Sequence, residues 1–171
     1  MSLPHAVVMG VAGSGKSTVG KRLAEKLGAR FLEADDLHSA GNIDKMSRGV
    51  PLDDTDRWPW LEAVAQQLVQ ARDQSLVVAC SALKRAYRDL LRRADPAVVF
   101  IMLHGSRELL SDRIAQRAGH FMPPSMLDSQ LDSLEPLRTD ERGIILNIAE
   151  PPQELIRQAA ALFRAGRMEQ A

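Results

Sequence analysis

The chain has 171 residues, 45% of them hydrophobic and 26% charged, with 22 basic residues against 22 acidic ones. A formal net charge of zero excludes a global field that would gather nucleic acid or an anionic membrane, so any anion site must be local. No apolar run approaches the about 18 residues of a membrane span, and the single cysteine, Cys80, cannot close an internal disulfide. The length predicts one domain over 1–171, and the N-terminus lacks a basic segment followed by an apolar one, which predicts residence in the cell interior.

In chain order, Ala6-Val7-Val8-Met9 has the character of a buried strand, and a glycine-rich loop follows at once. A helix is expected over 16–27, with Val19, Leu23 and Leu27 at helical spacing and Gly28 as its stop. A short strand covers 30–33. Asp53 or Asp54 can cap a helix running through 58–72, with Trp60, Leu61, Val64, Leu68 and Val69 inward. A third strand over 76–80 precedes a helix over about 84–93, and a fourth over 98–103 precedes a helix over about 107–117. The fifth strand spans 144–148, and Pro151-Pro152 opens a last helix to about Arg164. Strands alternating with helices predict a parallel sheet covered on both faces. Residues 37–57 and 113–139 are polar and turn-rich and fall outside this alternation. Both emerge at the carboxyl ends of strands, where ligands bind in such folds, so the first is a candidate acceptor segment and the second a candidate lid over about 113–125.

The loop Gly10-Val11-Ala12-Gly13-Ser14-Gly15-Lys16-Ser17-Thr18 fits the phosphate-loop spacing, with a strand before it and a helix after it. Its glycines let successive N–H groups point into one nest, and the helix N-terminus adds its dipole. Lys16 brings a charge to the β- and γ-phosphates, and the Ser17 hydroxyl can ligate Mg²⁺. This chemistry is that of nucleoside triphosphate binding. An Asn-Lys-x-Asp guanine reader is absent and so is an Asp-x-x-Gly switch after a strand, which argues against a GTPase and for transfer of the γ-phosphoryl to a second substrate.

Such transfer needs a base, a metal and cations. Strand alternation puts Glu33 and Asp35 on one side at the end of the second strand, with Asp35 suited to base and substrate contact and Glu33 to a metal held through water. His38 either contacts substrate or caps the following helix. Arg113 and Arg117, four apart, form one helical face that either meets the nucleotide or is a solvated surface. Lys84, Arg88 one turn later and Arg57 suit a carboxylate or phosphate on the acceptor, while only Arg48 and Arg57 in residues 36–57 make a nucleotide acceptor, which calls for several arginines, the weaker reading. Trp58 and Trp60 suit helix packing more than ligand stacking. The setting of Cys80 is that of a buried, inert thiol.

Taken together, "MGVAGSGKST", "FLEADDLHSAGNIDKMSRGVPLDDTDRWPWL", "CSALKRAYRDLLR" and "GHFMP" resemble the gluconokinase family, the bacterial ATP-dependent gluconate kinases, from about residue 6 to 165. The resemblance implies a three-layer P-loop kinase fold with sheet order 2-3-1-4-5 and a mobile lid. It implies ATP and Mg²⁺ as cofactors, D-gluconate as acceptor and commonly a homodimer. It sets Asp35 beside the acceptor hydroxyl, Lys84 near the substrate, and Arg113, Arg117 and His120 in the lid. Glu33 stands where relatives often carry Asp. A different small acceptor, shikimate or a nucleoside monophosphate, and a nucleotide-binding module that transfers nothing are the competing readings.

Overall fold

The computed structural model describes residues 3–117 and 123–168. Strand β1 (Ala6–Met9) has all four residues fully buried. Successive strand side chains point to opposite faces, so burial of every one of them means that both faces at the sheet centre are covered. Beyond the glycine-rich loop, α1 (Lys16–Leu27) ends on Gly28 in the left-handed conformation, where a side chain would add strain. Its inward residues Val19 and Leu23 join the core, and full burial of a leucine side chain contributes about 1.5–3 kcal/mol.

Strand β2 (Arg30–Glu33) runs into a 3₁₀ turn, Ala34–Leu37, and then α2 (Ala40–Ser47). Helix α3 (Asp54–Gln70) starts from a reciprocal capping box in which Asp53 accepts from the Asp56 N–H and Asp56 accepts from the Asp53 N–H. Then come β3 (Leu76–Ala79), α4 (Arg85–Ala94), β4 (Val99–His104) and α5 (Arg107–Ala115). The chain continues through α6 (Pro124–Ser133), β5 (Gly143–Asn147) and α7 (Pro152–Met168). The strands form one sheet, β2-β3-β1-β4-β5, in which every neighbouring pair is parallel. Helix α1 packs with α7, and α3 with α4.

Two helices arise where the sequence pattern offers none. Ser39 caps α2 by accepting from the Asn42 N–H, and most of that helix is polar and exposed, so no apolar stripe reveals it. Pro124 occupies the first helical position of α6, where its missing N–H is harmless, so a Pro-Pro pair that reads as loop instead opens a helix. Among the described residues no helix is long and apolar enough to cross a membrane.

Candidate active site

The strand order switches sides at β1: β2 and β3 lie to one side of it and β4 and β5 to the other. The crevice at the carboxyl ends of the strands is therefore where a doubly wound sheet binds ligands. The loop after β1 fills it. Gly13 (φ +78°) and Gly15 (φ +91°) take left-handed backbone, and a Cβ on Gly13 would come within 2.8 Å of Ile114. At the loop's base the Gly10 N–H donates to the Ser81 carbonyl. Ser14 is buried and its hydroxyl donates to the Val11 carbonyl at 2.7 Å. Lys16 Nζ donates to that same carbonyl at 2.9 Å, resting within the loop. The other face of that peptide is also held, because the Ala12 N–H donates to Gln130 Oε1 on α6 at 2.7 Å. Burial pushes the Lys16 ammonium below its ordinary value, against the pull of the Asp35 and Glu33 carboxylates. Thr18 is exposed on the first turn of α1.

Ser17 and Glu33 meet: the hydroxyl donates to the carboxylate. Burial raises the Glu33 carboxyl above its ordinary value, and the Ser17 hydrogen bond opposes this. Among the described residues there is no cluster of three metal-binding side chains. The pair supplies only hard oxygen donors, the set that suits Mg²⁺ when phosphates and water complete its shell, so these residues fit the ion. Cys80, behind the loop, is fully buried and its thiol is pushed up to about 12, so it stays protonated.

Asp35 lies in the 3₁₀ turn beyond β2, with a side chain 72% exposed. Its neighbour is His38, whose Nε2 is 3.7 Å from Asp35 Oδ1. The Asn42 side-chain amide donates to His38 Nδ1 at 3.2 Å, which leaves the ring proton on Nε2, facing Asp35. The imidazole stacks on Trp60 with centroids 4.2 Å apart, and Trp60 Nε1 donates to the Ala34 carbonyl. Burial lowers the His38 pKa, with Asp35 opposing, so the ring is neutral at pH 7. His38 does not cap α2; Ser39 does. Trp58 sits edge-on to Tyr87, so both tryptophans serve packing.

Four side chains that come from α3 and the start of α4 form a second polar cluster. Arg57 Nη1 donates to the Tyr87 hydroxyl at 3.1 Å, Tyr87 donates to the Asp54 carboxylate, and Lys84 Nζ donates to Asp54 Oδ1 at 3.0 Å. The Tyr87 and Lys84 hydrogen bonds hold Asp54 below the ordinary carboxylate range, and the Asp54 bond raises Lys84. Arg57 and Lys84 are thus brought together, through a tyrosine that the sequence pattern did not single out.

Arg88 departs from expectation. It is fully buried, with Nε 2.6 Å from Glu141 Oε1 and Nη1 donating to the carbonyls of Ala82 and Leu83 at 3.0 and 3.1 Å. It is therefore no ligand for an acceptor. Lys84 is an extended N-cap rather than a helical residue, so the one-turn spacing does not align the two side chains. Arg88 instead anchors the loop carrying Lys84, including Ala82 at φ +41°.

Arg113 reaches the same crevice, with Nη2 donating to the Ile148 carbonyl at 2.7 Å and Nη1 3.9 Å from the position of a Cβ on Gly15. Arg117 follows the end of α5, is exposed, and lies near enough to lower the Lys16 pKa. Gly119 and His120 lie outside the described residues.

A parallel sheet in this order, with a Gly-x₄-Gly-Lys-Ser loop between β1 and α1 and carboxylates ending β2, defines a P-loop kinase. An AAA-domain family model matches residues 6–137. The thermosensitive gluconokinase of Escherichia coli (strain K12) is 46% identical over 141 residues, covering 81% of this chain and 75% of that protein. The crystal structure of a gluconokinase from Sinorhizobium meliloti 1021 superimposes with TM-score 0.89 and 48% identity, over 96% of this chain and 94% of that one. An APS kinase from Mycobacterium tuberculosis, 18% identical, shares the fold with TM-score 0.70 over 96% of this chain and 99% of its own. The chain belongs to the gluconokinase family of P-loop kinases, and it is an enzyme.

Proposed function

We propose that the protein transfers the γ-phosphoryl group of ATP to the 6-hydroxyl of D-gluconate, in one in-line step, giving 6-phospho-D-gluconate and ADP. The observation that carries this reading is the pairing of an anion-binding loop with two distinct polar walls. Asp35 stands on one, and Arg57 and Lys84 meet across Tyr87 and Asp54 on the other. Gluconate asks for both: a carboxylate at one end to be met by a cation, and a hydroxyl at the other to be deprotonated.

In this reading the N–H groups of residues 13–17 and the α1 N-terminus hold the α- and β-phosphates. Lys16 exchanges its Val11 carbonyl for the β- and γ-phosphates, a short swing because the ammonium already rests within the loop. Arg113 and Arg117 face the nucleotide and offset charge that builds on the transferring group. Asp35 accepts the proton of the attacking hydroxyl, while the O–P bond to gluconate forms and the bond to the ADP oxygen breaks. His38, neutral with its N–H toward Asp35, backs that carboxylate from within the fold. Ser17, with Glu33 through water, would hold Mg²⁺, which would supply positive charge to offset that of the triphosphate. Lys84 and Arg57 take the gluconate carboxylate.

The test is ADP release from ATP and Mg²⁺ with D-gluconate, shikimate, AMP or no acceptor in parallel. Release with gluconate alone is the expected result. Release with another acceptor overturns the substrate assignment, and ATP binding without release in any arm overturns the kinase reading.

A further inference from the structure

The phosphate loop is held from outside by one side chain that its own motif does not contain. The peptide joining Val11 to Ala12 is gripped at both ends. Its carbonyl accepts from Lys16 Nζ at 2.9 Å, from Ser14 Oγ at 2.7 Å and from the Ser14 N–H at 3.3 Å. Its N–H donates to Gln130 Oε1 at 2.7 Å, across 118 residues of sequence. A peptide is rigid and planar, so fixing its N–H fixes where its carbonyl points. Without Gln130 the plane loses its hold at the N–H end, and only the Lys16 and Ser14 hydrogen bonds are left to direct the carbonyl.

The helix that carries Gln130 touches the acceptor side at both ends. Before its start, Pro123 packs against the end of α2: a Cβ on Gly49 would meet Pro123 Cγ at 3.2 Å. Past its end, the Glu135 N–H donates to the Leu83 carbonyl at 2.8 Å, and its carboxylate accepts from the Arg85 N–H at 3.1 Å, flanking Lys84. Met126 and Leu127 bury the helix against the core.

We propose that Gln130 is a positioning residue for phosphoryl transfer: its carboxamide oxygen sets the Val11–Ala12 peptide, and thereby Lys16, in register with the acceptor wall that α6 supports. This rests on the kinase reading for its consequence in turnover, but its structural and nucleotide-binding content stands apart from the acceptor's identity. Gln130→Met keeps the length and removes the acceptor atom; Gln130→Glu keeps an acceptor oxygen.

The experiment measures the hydrogen-exchange rate of the Ala12 amide by NMR, ADP affinity by calorimetry, and kcat and KM for ATP and gluconate. For Gln130→Met, Ala12 exchange rises at least about tenfold and ADP affinity falls about threefold to tenfold, the scale of one hydrogen bond. Its kcat falls more than its KM for gluconate rises. Gln130→Glu restores slow Ala12 exchange. A Gln130→Met protein with wild-type exchange and wild-type ADP affinity overturns the proposal. If that variant does not fold, Gln130→Asn, which keeps the amide but shortens its reach, gives the same two outcomes. Exchange and ADP binding are read without any acceptor, so failure of gluconate turnover would refute the earlier reading and leave this one to its own result.

Discussion

Replacing Arg88 by leucine separates an anchoring role from a ligand role. Arg88 and Glu141 are both buried, and the guanidinium donates to both carboxylate oxygens, at 2.6 and 3.1 Å. It also donates to the carbonyls of Ala82, Leu83 and Pro136 at 3.0, 3.1 and 3.3 Å. The carboxylate's other bond is from the Arg138 N–H at 2.9 Å. Arg88→Leu would leave a buried carboxylate with one hydrogen-bond donor and the Arg85 guanidinium 3.8 Å away, a change that costs about 3–5 kcal/mol. For a domain of this size that corresponds to a midpoint lower by roughly 6–20 °C. Thermal unfolding followed by circular dichroism reads it. Removing both partners, Arg88→Leu with Glu141→Leu, restores part of the loss, because no charge is left buried while the Ala82, Leu83 and Pro136 carbonyls still lose their donor. The pH dependence gives a second check. Burial pushes the Glu141 carboxyl up, but the Arg88 and Arg138 hydrogen bonds outweigh it and its folded pKa lies below its ordinary value. Its contribution is present above the unfolded value and is lost as pH falls through the folded one. Wild-type stability therefore drops on acidification below about pH 4.5, and Arg88→Leu flattens that slope. A single variant less than about 1 kcal/mol weaker than wild type, or a double variant weaker than the single, would refute the reasoning.

Three further predictions follow from the site. Asp35→Asn keeps ADP affinity and lowers turnover by about 10²-fold or more in steady-state assay, whereas unchanged turnover removes Asp35 as the base. Lys84→Met raises the gluconate KM roughly tenfold to a hundredfold, the value of a charge-assisted hydrogen bond, with the ATP KM held; an unchanged gluconate KM would set the carboxylate elsewhere. His38 has a lowered folded pKa, so its contribution to stability is present above about pH 6.5 and is lost as pH falls through that lower value. Urea unfolding of His38→Gln should show a shallower loss between pH 6.5 and 5 than wild type, and parallel curves would contradict the assignment.

How far the sequence carried the fold depends on the range of the interactions involved. The strands are apolar runs and the glycine loop is a local spacing, so both are legible from a few adjacent residues. The β2-β3-β1-β4-β5 order was implied by resemblance and is what the sheet shows. Helices α2 and α6 escape because their identity lies in caps and a helix-opening proline rather than in an apolar stripe. Arg88 misleads because its partner, Glu141, is 53 residues away and Lys84 is an extended N-cap, to which helical spacing does not apply. Gln130 and Tyr87 are ordinary residues on helices, and only the folded chain brings the first to the Ala12 N–H and the second to Asp54 and Arg57. Side chains whose purpose is set by a distant backbone group leave no local signature.

The central claim is most directly tested by a single-turnover reaction of enzyme with ATP, Mg²⁺ and D-gluconate, with products identified by ³¹P NMR. The account predicts one phosphomonoester, on the 6-oxygen of gluconate, appearing in step with ADP. Inorganic phosphate in its place, or a phosphorylated product formed only with another acceptor, would contradict it.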